Sequence, residues 1–256
     1  MTLLLSNAAC VFGMMFLLWL VSIPKRDVSI VDPFWSIAFL LVGANTALHS
    51  VLTSGKLLLL SCLALWSLRL WAHLWWRSRG QPEDPRYAAF RARFGAERYW
   101  WFSLFQVFGL QGALALLISA PLMVALSAEA PDPIGALDVL GTAVFAIGFG
   151  FEVVADQQLA RFRRDPSQRG AVMDRGLWRY SRHPNYFGEA VLWWGFWMQA
   201  LNTPYGLPCV VAPLLMSFLL LRVSGVTLLD AHLKKTRPAY ADYIARTSAF
   251  WPRRPH

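Results

Sequence analysis

Three cysteines are all this chain carries, and Cys10, Cys62 and Cys209 each lie in an apolar run, at no spacing that serves a disulfide framework, a redox pair or a zinc site. They read as small core or lipid-facing residues. The five histidines, His49, His73, His183, His232 and His256, are likewise scattered, so no metal is expected. His73 sits among Trp71, Trp75 and Trp76, a composition that suits an interfacial aromatic belt. Also missing are a Walker loop, a Gly-x-Gly-x-x-Gly turn, His-Glu-x-x-His and Gly-x-Ser-x-Gly, which excludes the common soluble nucleotide-binding and hydrolase architectures. No internal repeat and no pair of broken helices favours a transporter. Acidic residues are scarce, 15 against 24 Lys and Arg, for a net charge of +9. That excess suits either nucleic acid or the cytoplasmic loops of a membrane protein, and position decides between them.

What is abundant is apolar surface: 56% of the 256 residues are hydrophobic, 13 of them Trp, and the mean hydropathy is +0.41. The chain reads as a single all-α, polytopic membrane domain. Apolar spans near 3–23, 31–52, 57–76, 101–126, 134–159, 185–201 and 207–228 each approach the ~20 residues needed to cross a hydrocarbon core. The first lacks a basic n-region and a small-residue cleavage site, so it reads as a retained span and not a signal peptide. Twenty-one of the 24 basic residues follow odd-numbered spans, while the loop after span four carries Glu129 and Asp132. The positive-inside rule therefore puts the N-terminus outside and the C-terminus in the cytoplasm, and the alternation supports seven spans independently of hydropathy. No nucleic-acid role is expected.

Ionisable side chains within spans cost a few kcal/mol each on insertion scales, so each is a functional hypothesis. With this orientation they share one level: Asp32 opens span two, Arg69 lies in the inner half of span three, Glu152 and Asp156 in the inner part of span five, Asn185 and Glu189 at the start of span six, and Arg222 and Asp230 at the end of span seven. Glu152 and Asp156 are four apart, and Arg163 returns to nearly the same helical face. Asn185 and Glu189 share a face of span six in the same way. The simplest packing turns both stripes into one cavity open to the cytoplasm.

The stretch Gly176-Leu-Trp-Arg-Tyr-Ser-Arg-His-Pro-Asn-Tyr-Phe-Gly-Glu189 takes a basic loop into span six. Pro184 at a first helical turn loses no hydrogen bond, so a helix starts there, and its N-terminus beside Arg179 and Arg182 suits an anion. Arg161, Arg163, Arg164 and Arg169, then Arg175, Arg179 and Arg182, supply forks for phosphate oxygens. Trp178, Tyr180 and Tyr186 offer faces for stacking. A basic loop leading into a polar cavity is what a soluble anionic cofactor and a hydrophobic small-molecule substrate would share.

At these residues the chain resembles the steroid 5-alpha-reductase-like family, in particular its bacterial members of unassigned substrate. The pieces are Gly150-Phe-Glu152-Val-Val-Ala-Asp156-Gln-Gln-Leu159, the Gly176–Glu189 stretch with Trp193-Trp194-Gly195, and the tail from Arg237-Pro-Ala-Tyr240-Ala-Asp-Tyr243 to Thr247-Ser-Ala-Phe-Trp-Pro252. The resemblance implies an NADPH-dependent oxidoreductase of lipid metabolism, in a bacterial inner membrane, that reduces an activated carbon–carbon double bond of a steroid or other enone. It implies a lipid-substrate half over 1–126 and a cofactor-binding half over 134–256. Carried over by position, Asp156, Arg163, Tyr180, Asn185 and Glu189 would line the NADPH pocket. Arg164, Tyr186 and Glu152 join them, and Arg182 and His183 serve as added anion contacts. Glu152 stands where steroid reductases carry an Asn, and their third-span Tyr falls near Trp66. A substitute acid would come from Asp32, Glu83 or Tyr87. Asp32-Pro33 reads equally as a cap of span two. Tyr87 opens a run to Phe94 that reads first as an amphipathic interfacial helix, reaching the cavity only if its loop folds up beneath it. The alternatives are a membrane methyltransferase like isoprenylcysteine carboxyl methyltransferase, which binds S-adenosylmethionine through a similar Arg-His-Pro-x-Tyr element, and a non-catalytic lipid-binding scaffold.

Overall fold

The computed structural model describes residues 2–129, 134–223, 226, 230, 233, 234, 237 and 239–255. Asp132, His232, Lys235 and His256 therefore lie outside the described residues. The described residues are mostly helical, with no strand among them. In chain order the helices are α1 (Thr2–Lys25), α2 (Val31–Leu48), α3 (Ser54–Ser78), α4 (Pro85–Phe94) and α5 (Tyr99–Ser103), which continues through a π-helical turn, Leu104–Gly109, into α6 (Leu110–Ile118). Then come α7 (Ala120–Ser127), α8 (Ala136–Arg164), α9 (Pro184–Ala200), α10 (Val211–Phe218), a second π turn at Leu219–Val223, and α11 (Tyr240–Arg246).

Five stretches are long and apolar enough to cross a membrane: Thr2–Lys25, Val31–Leu48, Ser54–Ser78, Tyr99–Ile118 and Ala136–Arg164. The expected sixth span is the 17-residue α9, about 25 Å at 1.5 Å per residue against a core of roughly 30 Å. The expected seventh is the apolar Leu207–Val223, and the expected fourth breaks after Ile118, where Pro121 stands in the first turn of α7. Conversely α8 outruns its apolar part: Arg161, Arg163 and Arg164 continue it as helix, favoured by the negative C-terminal end of the dipole. Pro166 then disfavours helical geometry at Asp165 and stops it.

The chain divides into two compact units. In the first, Met1–Gly135 with Ala200–Gly206, α2 packs on α1, α3, α6 and α7. Its buried positions, Val31, Ala38, Phe39, Val42, Gly43 and Thr46, recur at helical spacing. Gly43 lies so close to α3 that a β-carbon there would come within 2.4 Å of Leu63 Cδ2. Polar clasps tie the same helices. Asn7 Nδ2 donates to Thr46 Oγ1 at 3.0 Å, Asn45 Nδ2 donates to Asn7 Oδ1 at 2.8 Å, and Ser36 Oγ donates to the Ser67 carbonyl at 2.8 Å. In hydrocarbon such bonds replace the hydrophobic drive that helix pairs have in water.

The second unit comprises Ala136–Gln199 and Leu207–His256. Here α8 and α9 meet backbone to backbone along a glycine seam. A β-carbon on Gly148 would lie 2.5 Å from the Gly188 carbonyl oxygen and one on Gly188 2.5 Å from the Gly148 oxygen, while Gly141 and Gly195 face each other in the same way, at 2.7 and 2.6 Å. The pairing of low numbers with high makes the helices antiparallel, and seven residues separate the glycines on each, two turns of one face. Gly141, Phe145, Gly148, Glu152 and Asp156 form the single buried stripe of α8, so the two carboxylates continue the seam.

Gly148→Ala and Gly188→Ala each force the two backbones apart and should lower stability by about 1–3 kcal/mol. Gly150→Ala, with nothing within 4 Å of the added carbon, should be neutral or mildly stabilising. Thermal unfolding of the three variants in one lipid or detergent system checks this, and equal behaviour would refute the seam.

Candidate functional site

At the end of the seam the backbones have no room for side chains, so the polar groups one turn further on are brought together. Glu152, Asp156 and Glu189 are all buried. Asn185 Nδ2 donates to Asp156 Oδ1 at 3.1 Å, joining the α8 stripe to the first turn of α9 as the sequence spacing requires. A carboxylate only accepts, so the amide nitrogen must face Asp156 and Asn185 Oδ1 is left looking elsewhere, with no partner among the described residues. Beyond them Arg161, Arg163 and Arg164 are exposed on the last turns of α8, and Tyr180 is exposed in the loop.

That loop is fastened to α8. Gly176 has φ +58°, and a β-carbon there would collide with the Gln158 amide, whose oxygen accepts from Leu177 N at 2.9 Å. Only glycine meets both demands. Trp178 Nε1 donates to the Ala155 carbonyl at 3.0 Å, one residue before Asp156.

The two residues expected to add anion contacts have other partners. Arg182 Nη2 donates to Asp230 Oδ2 at 2.7 Å and its Nη1 to the Thr247 carbonyl, while His183 Nε2 lies 3.0 Å from Asp230 Oδ1. The Tyr240 hydroxyl also donates to Asp230 Oδ1. Burial acts to raise the Asp230 carboxyl, but the bonds from His183, Arg182 and Tyr240 outweigh it and hold the group well below the usual carboxylate range. Burial, together with this carboxylate, pushes the Tyr240 phenol far up. Around this hub the tail lies against the loop. Arg182 N donates to the Ser248 carbonyl at 2.9 Å, Ser181 Oγ to the Phe250 carbonyl at 2.8 Å, Arg253 N to the Tyr180 carbonyl at 2.9 Å, and the Tyr243 hydroxyl to the Trp178 carbonyl. Tyr186 stacks on the His183 ring, centroids 5.4 Å apart and planes within 2°.

In the first unit, the three residues expected to replace the acid separate into two arrangements. The Tyr87 hydroxyl donates to Asp32 Oδ1 at 2.6 Å and accepts from Gln111 Nε2 at 3.2 Å, and Arg86 Nη2 donates to Asp32 Oδ2 at 2.9 Å. Asp32 makes no side-chain cap for α2. Its carboxylate turns to α4 instead, and the cap reading falls. Helix α4 forms as the amphipathic pattern requires, yet Tyr87 is its one buried residue. Burial, then the neighbouring Asp32, raises the Tyr87 phenol well above its ordinary value. Glu83 does not join them: it holds Arg91 through two bonds, 2.7 and 3.0 Å, and accepts from Val28 N at 2.9 Å, clamping α4 to the α1–α2 turn. Trp66 is fully buried.

Gln111 escapes a reading of the sequence, and so do the partners of Asp230 and Tyr240. Gln111 is one polar residue in an apolar run, and the π turn just before it resets the direction in which it points. Asp230 carried a signal as an acid at the end of a span, but its partners lie 47 and 48 residues earlier and ten later.

Asp230→Ala removes the acceptor of a buried guanidinium, imidazole and phenol together, and should cost about 3–5 kcal/mol and free the tail to protease. Because the carboxyl is depressed in the folded chain, the stability it contributes is complete above its unfolded value of 3.8, declines below that, and is lost only as pH falls through the lower folded value. In unfolding compared between pH 7 and pH 3, the gap between the native chain and Asp230→Asn should narrow at pH 3 without closing.

The family model described as a protein of unknown function, DUF1295, matches residues 18–247. An uncharacterized protein of Schizosaccharomyces pombe, C594.04c, is 29% identical over 206 residues, 71% of this chain and 60% of its own length, so the chain spans well under two thirds of that relative. No solved structure matches. With nine-tenths of its length under one family model, from α1 to the tail that Asp230 secures, the chain belongs to the DUF1295 family of proteins of unknown function.

Proposed function

We propose that this protein is a membrane-embedded, NADPH-dependent reductase that adds hydride to an activated carbon–carbon double bond of a hydrophobic lipid, a steroid or other enone. The observation that carries the reading is the Asn185–Asp156 bond at the end of the glycine seam, which gathers Glu152, Asp156 and Glu189 inside the second unit. A seam of glycines needs no charge beside it, and charge at that depth is costly. The family includes steroid 5-alpha-reductase-like proteins, in keeping with the resemblance of the Gly176–Glu189 stretch.

The residues present fit a dinucleotide. Arg163 and Arg164, exposed at the end of α8, suit its phosphates, and Tyr180 offers an exposed face for stacking. The unmet acceptor of Asn185, with Glu189 and Glu152, suits hydroxyl and amide donors. When bound, NADPH supplies the hydride. On the proton side, Tyr87 with Asp32 would supply the acid. Burial keeps the Tyr87 phenol protonated and Asp32 orients its hydroxyl, so this hydroxyl is the donor that would meet a developing oxyanion. Residues 1–126 would shape the lipid pocket. Counting α9 and Leu207–Val223 as spans gives seven, with the N-terminus outside and the basic loops in the cytoplasm, in a bacterial inner membrane.

Purified protein should show saturable stabilisation by NADPH that Arg163→Ala or Asn185→Ala abolishes, and no binding at millimolar concentration would sink the proposal. S-adenosylmethionine titrated on the same preparation separates the methyltransferase reading, since stabilisation by that ligand alone would favour it. Tyr87→Phe should lower enone-dependent NADPH oxidation roughly 10²–10⁴-fold while leaving NADPH binding intact.

A further inference from the structure

His183 holds one nitrogen in a bond and the other in none. Its side chain is 1% exposed, Nε2 lies 3.0 Å from Asp230 Oδ1, and Nδ1 is fully enclosed with no hydrogen-bond partner among the described residues. Asp230 also receives Arg182 and Tyr240, so it is a carboxylate that accepts only. The bond at 3.0 Å therefore requires the hydrogen on Nε2, and in the neutral ring the lone pair then sits on Nδ1. The His183 carbonyl accepts the first helical bond of α9, from Phe187 N at 3.0 Å, so the ring belongs to the residue that opens the helix.

We propose that Nδ1 of His183 is a ligand-binding acceptor, which takes an N–H or O–H donor of the bound molecule, and that Asp230 is the positioning residue that fixes its tautomer. A phosphate oxygen would face this nitrogen lone pair to lone pair, so the anion contact expected from the sequence is replaced by its opposite. For the ligand's identity the inference rests on the dinucleotide reading above, and within that reading it moves His183 from the phosphates to the amide or hydroxyl groups of NADPH.

The test uses the full-length protein in lipid nanodiscs with ¹⁵N-labelled histidine. The His183 ring is identified by its loss in His183→Gln, or by its survival in a variant whose four other histidines are Gln. The free protein at neutral pH should show nitrogen-bound hydrogen at Nε2 alone. NADPH should move the Nδ1 resonance and keep that tautomer, whereas inorganic pyrophosphate at the same concentration should leave it in place. Hydrogen on Nδ1 in the free protein, whether as the other tautomer or as the doubly protonated ring, would overturn the proposal. So would NADPH bound by fluorescence titration with Nδ1 unmoved, or a shift from pyrophosphate equal to that from NADPH. Failure of NADPH to bind in the fluorescence titration counts against the dinucleotide reading instead, and the free-protein tautomer still decides this one.

Discussion

Contact between two backbones, with no side chain between them, sets the geometry of the second unit. Where Gly141 and Gly148 meet Gly195 and Gly188, the distance from α8 to α9 is fixed by main-chain atoms, which have no rotamers to adjust. The next turn inherits that spacing. Asn185 reaches Asp156 at 3.1 Å because the seam holds the helices close just beside it. Glu152 shares the constraint directly, since its own backbone nitrogen would be 2.5 Å from a β-carbon on Gly188. The polar residues are thus placed by the glycines and do not need to hold the helices together themselves.

The buried polar groups divide by how completely they are satisfied. Asp230 receives three donors, and Arg182 spends its remaining hydrogens on carbonyls of the tail. Glu83 is likewise saturated by Arg91 and a backbone amide. Such closed sets act as fasteners, and they tie segments far apart in sequence. Asn185 Oδ1 and His183 Nδ1 are different: each belongs to a side chain whose other end is anchored to a carboxylate, so each presents one acceptor in a fixed direction. Anchoring at one end and vacancy at the other is the arrangement that preorganised recognition calls for.

Much of this was legible in the amino-acid pattern, for local reasons. Hydropathy and the alternation of basic loops depend on residues near one another, so α1, α2, α3, the Tyr99–Ile118 run and α8 appear close to where they were expected. The i, i+4 spacing of Glu152 with Asp156 and of Asn185 with Glu189 foretold a shared polar face. Pro184 marked the start of α9. What escaped depends on distance or on phase. Asp32 read equally as a cap and as an acid because its partner, Tyr87, is 55 residues away. The π turn at Leu104–Gly109 adds a residue to the helical repeat, and no hydropathy pattern reports it. The sixth span, by contrast, expected over 185–201, is α9 to within one residue at each end.

The dependence of Arg182 on Asp230 has a consequence in time. During synthesis the arginine is made 48 residues before the carboxylate that neutralises it, which at roughly 5–20 residues per second is an interval of several seconds. Over that interval the guanidinium has only water, lipid phosphate or the translocation machinery for company. It resists being drawn into an apolar phase, and so keeps the Gly176–His183 loop out of one until Asp230 has been made. The same guanidinium thereby acts first as an unpaired charge that stays in water and only afterwards, once Asp230 is in place, as half of a fastener.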